Sequence, residues 1–382
     1  MDTGYSRPGG EPVATEAAGQ PKPGAPAAQA VSTTHRPYPP SWIDRLTEWV
    51  RRLPLPAWIV YLGVGLVLTL LYIATLLPSA LWSSGTLSLT TAVLYSFLNG
   101  MTCAYIPGLI HYLDDAAGAA LDRFRPVMTA DEDEYNQLCY QLTTLPARPV
   151  WIATWLGIIY TFVARLLITV TAPTSNAAAG SPVVLVMIEV FDIMIYVLVA
   201  VTVYHTLHQL RMVNTIYTKH TRINLFQLGP LYSLSGLTAR TAIGIGIPTY
   251  LWFQANSSVM PGVDTSNVIR TAFLSIMIIG TFIWPLLGAH SLLEKEKQRL
   301  ADDVAGRIET TIATLHHLAD SGKLDDYGPL KGVLDGLLTE QGVIQKLRTW
   351  PWRTETVSSL GLAFLLPIII WVVQRVLERI GL

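Results

Sequence analysis

Four ionisable side chains lie inside stretches of the chain that are otherwise apolar, namely Arg165, Glu189, Asp192 and Arg240. Arg165 lies six residues before the end of one stretch, and Glu189 lies six residues after the start of the next. On consecutive antiparallel helices these positions have the same depth, so they predict an ion pair. Charges inside a membrane are costly and mark function by default. The pair is either a structural contact between two helices or a charge in a gate or ion pathway.

Asp192 lies three residues after Glu189 and therefore on the same face of its helix. One arginine does not neutralise two carboxylates. Asp192 is therefore protonated, paired with Arg240 of a later helix, or in contact with water. We expect Glu189 and Asp192 to line a polar cavity or a cluster between helices, and the four residues together form the predicted intramembrane charge cluster.

Other residue types that carry chemistry give weaker patterns. His205 and His208 have no carboxylate or thiolate at ligand spacing, so we expect solvated imidazoles at the cytoplasmic interface and no metal site. The acidic run 131–134 predicts a solvated loop without a partner. Cys103 and Cys139 are too few for a disulfide framework. Because the nucleophile elbow, the Walker loop, HExxH and the dinucleotide fingerprint are all absent from the sequence, we expect no cofactor and no enzyme activity.

The composition indicates that these residues belong to a membrane protein. The 382 residues are 51% hydrophobic and 14% charged, with a mean hydropathy of +0.40. A soluble domain carries about 25% charged residues, so this chain lacks the polar surface that a soluble protein needs. Its net charge of -1 gives no reason to expect a nucleic-acid partner. The expected partner is the lipid bilayer.

Seven stretches have the length of about 20 residues that a membrane-spanning helix requires. They are 57–77, 87–113, 150–171, 183–204, 233–253, 268–287 and 357–377. The predicted fold is therefore an all-α, polytopic bundle of seven transmembrane helices, the second of which is kinked at Pro107. Most of the 26 Lys and Arg residues precede the first span or follow the second, fourth and sixth. This asymmetry predicts a cytoplasmic N-terminus and an outer C-terminus, in a plasma or inner membrane.

The segments between and around the spans complete the predicted organisation. Residues 1–40 are rich in Pro, Gly and Ala and predict a disordered cytoplasmic tail. Residues 41–56 predict an interfacial helix, 57–287 the first six spans, 288–353 cytoplasmic amphipathic helices, and 354–382 the seventh span with a short outer C-terminus. The fourth and sixth spans are expected to continue as helices into the cytoplasm. Their apolar faces need partners, which predicts self-association.

The last span carries one local feature, five apolar residues at 369–373 followed by Gln374. Together with the topology over residues 57–380, this resembles the insect gustatory and odorant receptors, whose last helix ends in Thr-Tyr, five hydrophobic residues and Gln-Phe. Here Pro367 and Ile368 replace Thr-Tyr, and Arg375 replaces Phe. Members of that family are tetrameric ligand-gated cation channels with a pore lined by the last helix.

The resemblance implies a tetrameric ion channel or channel-like chemoreceptor that takes a small-molecule ligand or an ion. Its pore candidates are Ser358, Ser359 and Gln374 as polar positions and Leu365, Leu366, Ile369 or Val373 as a hydrophobic gate. Without the resemblance, the same helix indicates a lipid-facing span. A secondary transporter using the charges on the third and fourth spans is the alternative, although seven spans do not divide into equal halves. A non-conducting sensor or scaffold is the third possibility.

Overall fold

A computed structural model describes residues 37–76, 89–171, 182–221, 225, 229–259, 264–321, 327–351 and 358. Over these residues the chain is helical and contains no β-strand, which confirms the predicted all-α fold class. The helices are α1 (Trp42–Arg51), α2 (Ala57–Leu76), α3 (Leu89–Phe124) followed by a 3-10 turn (Arg125–Val127), α4 (Glu132–Thr143), α5 (Ala147–Thr171), α6 (Pro182–Lys219), α7 (Leu231–Val259), α8 (Asp264–Asp320) and α9 (Tyr327–Lys346). The predicted tail lies outside the described residues up to residue 36.

Four of the described helices are long and apolar enough to cross a membrane, which makes the chain a multi-pass membrane protein. Their spanning segments are Ala57–Leu76, Ala92–Val127, Ala147–Leu166 and Pro182–Lys219. They belong to α2, α3, α5 and α6 and match the first four predicted spans. Helices α7 and α8 coincide with the next two. Apart from Ser358, the seventh predicted span lies outside the described residues, so the count of seven and the orientation stay predictions.

The short helix α1 begins at a capping box and is tied to α5. The backbone N–H of Ser41 donates to Asp44 Oδ2 over 2.9 Å, and the Ser41 hydroxyl accepts from the Asp44 backbone over 3.4 Å. Asp44 Oδ2 also accepts from the backbone N–H of Leu145, just before α5. Trp42 Nε1 donates to Thr154 Oγ1 over 3.0 Å. The helix predicted within 41–56 is thus present, and its side chains anchor it to a spanning helix. We call the side of the membrane on which it lies the α1 side.

The largest apolar core of the chain lies on the α1 side of the spans. It contains residues from the C-terminal half of α3, one face of α4 and the C-terminal end of α6. Residues from the first turns of α7 and the middle of α8 complete it. Its fully buried members include Leu113, Phe124, Ile216, Leu234 and Leu293. These helices therefore pack together into one apolar layer.

The spanning segments themselves are much less covered than this layer. Buried residues make up 28%, 50%, 28% and 22% of an apolar 18-residue segment within each of the four spans, in chain order. Where spans do meet, small residues bring the backbones together: a Cβ atom on Gly157 of α5 would lie 2.7 Å from the Cα of Val197 on α6. Most of the remaining span surface is open to lipid or to another subunit.

Helix α8 is one continuous helix of 57 residues. At 1.5 Å per residue it is about 85 Å long, well beyond the roughly 30 Å of a hydrocarbon core, so it extends into the aqueous phase. The C-terminal half of α8 packs against α9. Lys297 of α8 donates to the backbone carbonyl oxygens of Gln345 and Leu347 over 2.9 and 3.0 Å and so caps the end of α9. Helix α8 thus continues without a break from the sixth predicted span to Asp320, and α6 likewise continues to Lys219; the position of these extensions relative to the membrane stays a prediction.

Candidate functional site

The structure brings Arg165 and Glu189 together between α5 and α6. Arg165 Nε lies 3.7 Å from Glu189 Oε2, at the matched depth that the sequence spacing predicts. The two side chains keep 29% and 21% of their surface exposed in the single subunit. Glu189 Oε1 is buried and has no hydrogen-bond partner among the described residues. The ion pair is therefore partly exposed, while the second carboxylate oxygen of Glu189 is buried without a hydrogen bond.

Asp192 lies beside this pair on the same face of α6. Its carboxylate interacts electrostatically with Glu189 and Arg165 and with the hydroxyl groups of Tyr72 on α2 and Tyr95 on α3. Residues from α2, α3, α5 and α6 thus contribute to the electrostatic surroundings of Asp192. We call these five residues the Glu189 cluster.

Arg240 does not belong to the Glu189 cluster. The predicted intramembrane charge cluster of four residues was therefore wrong in including Arg240. Helix α7 packs mainly against α3 and α8. Thr241, the residue after Arg240, donates from its hydroxyl to Gln209 Oε1 of α6 over 3.5 Å. Gln209 lies 17 residues beyond Asp192 on that helix. That separation corresponds to about 25 Å along a helix. Of the three alternatives for Asp192, pairing with Arg240 is thus excluded.

A second polar cluster, which the sequence did not reveal, joins α3 and α6 on the α1 side. His205 Nε2 donates to Asp114 Oδ1 over 2.9 Å, and the two side chains are 1% and 6% exposed. The expected solvated histidine is therefore wrong for His205. His208 is half-buried and donates to the backbone carbonyl of Gln141 over 2.8 Å. Because 91 residues separate Asp114 from His205, no local spacing could have paired them.

Unpartnered polar atoms occur on His205 itself, on the next residue Thr206, and on Asp44, which interacts electrostatically with Asp114. Among the described residues, the buried side-chain atoms without a hydrogen-bond partner include Asp44 Oδ1, His205 Nδ1 and Thr206 Oγ1. Buried atoms of this kind typically bind internal water or mark a functional site. We call Asp44, Asp114, His205 and Thr206 the His205 cluster. Burial raises the pKa of Asp44 to about 6, and the nearby Asp114 adds to the rise, while hydrogen bonds from Ser41 and Leu145 oppose it.

The third polar feature is a chain of hydrogen bonds between α1, α2 and α3. Arg51 Nε donates to His111 Nε2 over 2.8 Å, and Arg51 also pairs with Asp115 over 2.5 Å. A ring nitrogen that accepts carries no proton, so the proton of a neutral His111 lies on Nδ1, which contacts the Tyr61 hydroxyl at 3.2 Å. These residues form the polar end of an open cavity.

This cavity has a volume of about 680 Å³ and lies between the start of α2, the middle of α3 and α7. We call it the Arg240 groove; it is lined by Ala57, Trp58, Tyr61, Leu62, Met101, Tyr105, Gly108, Leu109, His111, Tyr112, Asp115, Arg240, Ile243 and Gly244. Tyr105 donates to the carbonyl oxygen of Gly244 over 2.7 Å. That carbonyl has no helical partner because the fourth residue beyond it is Pro248, which lacks an N–H. Tyr105 thus provides a partner for the carbonyl that Pro248 leaves free, and this hydrogen bond joins α3 to α7 in the wall of the groove.

The acidic run between the second and third spans is also different from its prediction as an unpaired loop. Asp131 caps α4 by accepting from the backbone of Glu134 over 2.8 Å. Glu132 pairs with Arg125, and Glu134 lies 3.3 Å from His220 at the end of α6. The run therefore begins a helix and connects it to two neighbours. The described residues contain no group of three His, Cys, Asp or Glu that could hold a metal ion.

The remaining site predictions concern the last helix. Ser358 is described and exposed, in a helical conformation. The other pore candidates lie outside the described residues: Ser359, Leu365, Leu366, Ile369, Val373 and Gln374.

No family model, curated protein or solved structure matches the chain.

Proposed function

We propose that this membrane protein is a homo-oligomeric ion channel or channel-like chemoreceptor whose pore is lined by the last helix. The observation that supports assembly is the apolar surface of α8 and α9. Ile312 of α8 is 38% exposed, and Val333, Leu338 and Val343 of α9 are 53%, 49% and 48% exposed. All four lie outside the candidate spans. In water, apolar surface of this kind is an interaction site, and in a symmetric oligomer the same surface on a neighbouring subunit covers it.

The low coverage of the spans supports the same arrangement. In three of the four candidate spans, an apolar segment of 18 residues has 28% or fewer of its residues buried within one subunit, which leaves room for contacts with other subunits as well as lipid. In the proposed assembly, a tetramer in a plasma or inner membrane, α8 and α9 form a cytoplasmic collar. The last helices surround the axis, with Leu365, Leu366, Ile369 or Val373 as the gate.

Purified protein reconstituted into liposomes tests this proposal by ion flux and by subunit number from mass photometry. In a variant with Cys103 and Cys139 replaced by alanine, we expect a thiol reagent to reduce flux through Leu366→Cys and Val373→Cys. Val67→Cys is the matched control, because Val67 is 64% exposed on α2 and is not a pore candidate. A monomer, or the absence of flux in every lipid and at every voltage, overturns the channel.

A second candidate function, a secondary transporter, is favoured by the Glu189 cluster. Glu189 Oε1 is buried and unpartnered, and Asp192 lies beside it, so two carboxylates face one arginine within the spans. Groups in this arrangement bind and release protons or cations in transporters. The transporter predicts slow, saturable uptake driven by an ion gradient and lost in Glu189→Gln. Glu340→Gln, an exposed carboxylate on α9, is the control; equal uptake by the two variants overturns this candidate.

A further inference from the structure

The Arg240 groove differs in character from one end to the other. At its polar end, Asp115 is paired with Arg51, and the same arginine holds His111. The guanidinium of Arg240 is exposed and forms no ion pair with any other described residue. The arginine that lines the groove is thus unpaired, whereas the lining carboxylate of Asp115 is already paired with Arg51, and this arrangement favours an anion beside Arg240.

The rest of the groove is apolar and belongs to the membrane. Trp58 and Leu62, in the first turns of the span on α2, are 67% and 43% exposed. Met101, Leu109 and Ile243 continue the apolar wall along α3 and α7. Since α2 enters the hydrocarbon from the α1 side, the charged end lies at the headgroup level and the apolar wall extends into the acyl region.

Aromatic residues line the transition between these two ends. Tyr61, Tyr105 and Tyr112 have apolar rings along the wall and polar hydroxyl groups, the property that places tyrosine at membrane interfaces. Two glycines allow the side chains of this wall to pack closely against the helices. A Cβ atom on Gly108 would lie 3.1 Å from Cδ2 of Tyr61, and one on Gly244 would lie 2.6 Å from Cδ1 of Leu109.

We propose that the Arg240 groove binds one anionic phospholipid from the leaflet on the α1 side. Its phosphate pairs with Arg240, because guanidinium and phosphate form strong, charge-assisted hydrogen bonds. One acyl chain lies along Leu62, Met101 and Ile243. A freely soluble anion gains nothing from the apolar wall, and a zwitterionic phospholipid carries a cationic group that offsets the attraction between its phosphate and the arginine, so a membrane lipid with net negative charge fits both ends best.

Native mass spectrometry of the delipidated full-length protein tests this assignment with two lipids that share the same acyl chains, phosphatidylglycerol and phosphatidylcholine. We expect wild type to prefer phosphatidylglycerol and Arg240→Gln to bind it about tenfold more weakly, as for the loss of a hydrogen bond to a charged group. Arg240→Lys retains the charge and is expected to lose less. Gel filtration and thermal melting of each variant show that it is folded.

The matched control is Arg148→Gln, which removes another exposed arginine at the start of α5 on the same side. Unchanged phosphatidylglycerol binding by this variant supports a specific site. Equal weakening in both variants means general surface charge and overturns the site, as does equal binding of the two lipids by wild type. If dodecyl phosphate, a water-soluble amphiphile, displaces phosphatidylglycerol at equal concentration, the occupant is a soluble amphiphile and the phospholipid assignment is wrong.

Discussion

The two polar clusters on α6 have opposite relations to their surroundings. The Glu189 cluster lies between spanning helices, and its ion pair is 29% and 21% exposed. The His205 cluster lies at the edge of the apolar layer on the α1 side, where Asp114 and His205 are 6% and 1% exposed. Thirteen residues of helix, about 20 Å, separate Asp192 from His205. One helix thus carries an open set of charges and an enclosed one.

This difference assigns different roles to the two clusters. An enclosed ionisable pair is costly to break, since a partner left behind is buried without compensation. The Arg165–Glu189 pair is only partly covered within one subunit and stays accessible to an ion, a lipid or a neighbouring subunit. We therefore expect the His205 cluster to dominate stability and the Glu189 cluster to dominate function.

The strongest test of the comparison is His205→Ala. It leaves Asp114 buried without its hydrogen bond, and we expect a loss of about 3–5 kcal/mol in the free energy of unfolding. Unfolding in detergent, followed by tryptophan fluorescence, measures the loss. Thr206→Val is the control next to it, because the Thr206 hydroxyl is buried and unpartnered, so its removal is neutral or stabilising. Similar losses of unfolding free energy in both variants would show that the stability of the apolar layer does not depend on the Asp114–His205 pair.

The pH dependence of stability tests Asp44, the member of the His205 cluster outside the spans. Its pKa rises from 3.8 to about 6 on folding, so the protonated form is favoured in the folded state. The stabilisation is complete below about pH 4 and is lost as the pH rises through 6, a change of roughly 3 kcal/mol at most. We expect thermal melts between pH 4.5 and 7.5 to show this decline in wild type. A decline of the same size in Asp44→Asn would assign it to other groups.

The packing that supports the Glu189 cluster is tested by Gly157→Ala. The added Cβ would lie 2.7 Å from the backbone of Val197, so α5 and α6 must separate, at an expected cost of about 1–3 kcal/mol. Thermal melting in detergent measures it. Gly63→Ala on α2 is the control, since nothing lies within 4 Å of the added atom. An unchanged melting temperature in Gly157→Ala would mean that the two helices do not touch there.

The smallest expected effect on stability belongs to Arg165→Gln. The pair is more than a fifth exposed, so the carboxylate that loses its partner is less enclosed than Asp114, and we expect a smaller shift in melting temperature than for His205→Ala. Ion flux or uptake in liposomes is expected to change severalfold in the same variant. A loss as large as that of His205→Ala, with flux unaltered, would make the Glu189 cluster structural and remove the contrast between the two clusters.

How far the sequence predicts each cluster depends on the distance along the chain between its members. Arg165 and Glu189 lie on consecutive helices, so depth alone places them side by side. Asp114 and His205 lie on α3 and α6, and only the packing of those helices shows that they meet. Arg240 was misplaced for the same reason, because composition does not say which neighbour α7 takes.

The sequence by itself determined the apolar character of the chain, its helical class, the first four candidate spans and the continuation of α6 and α8 past the ends of their predicted spans. These follow from local hydropathy and helical periodicity, which act over one or a few turns. Only the tertiary structure decided that the main core lies on the α1 side, that a histidine and an aspartate are enclosed there, and that Arg240 stands alone in a groove. Each of these depends on which helices pack together, and the free energy of that choice comes from surfaces far apart in the chain.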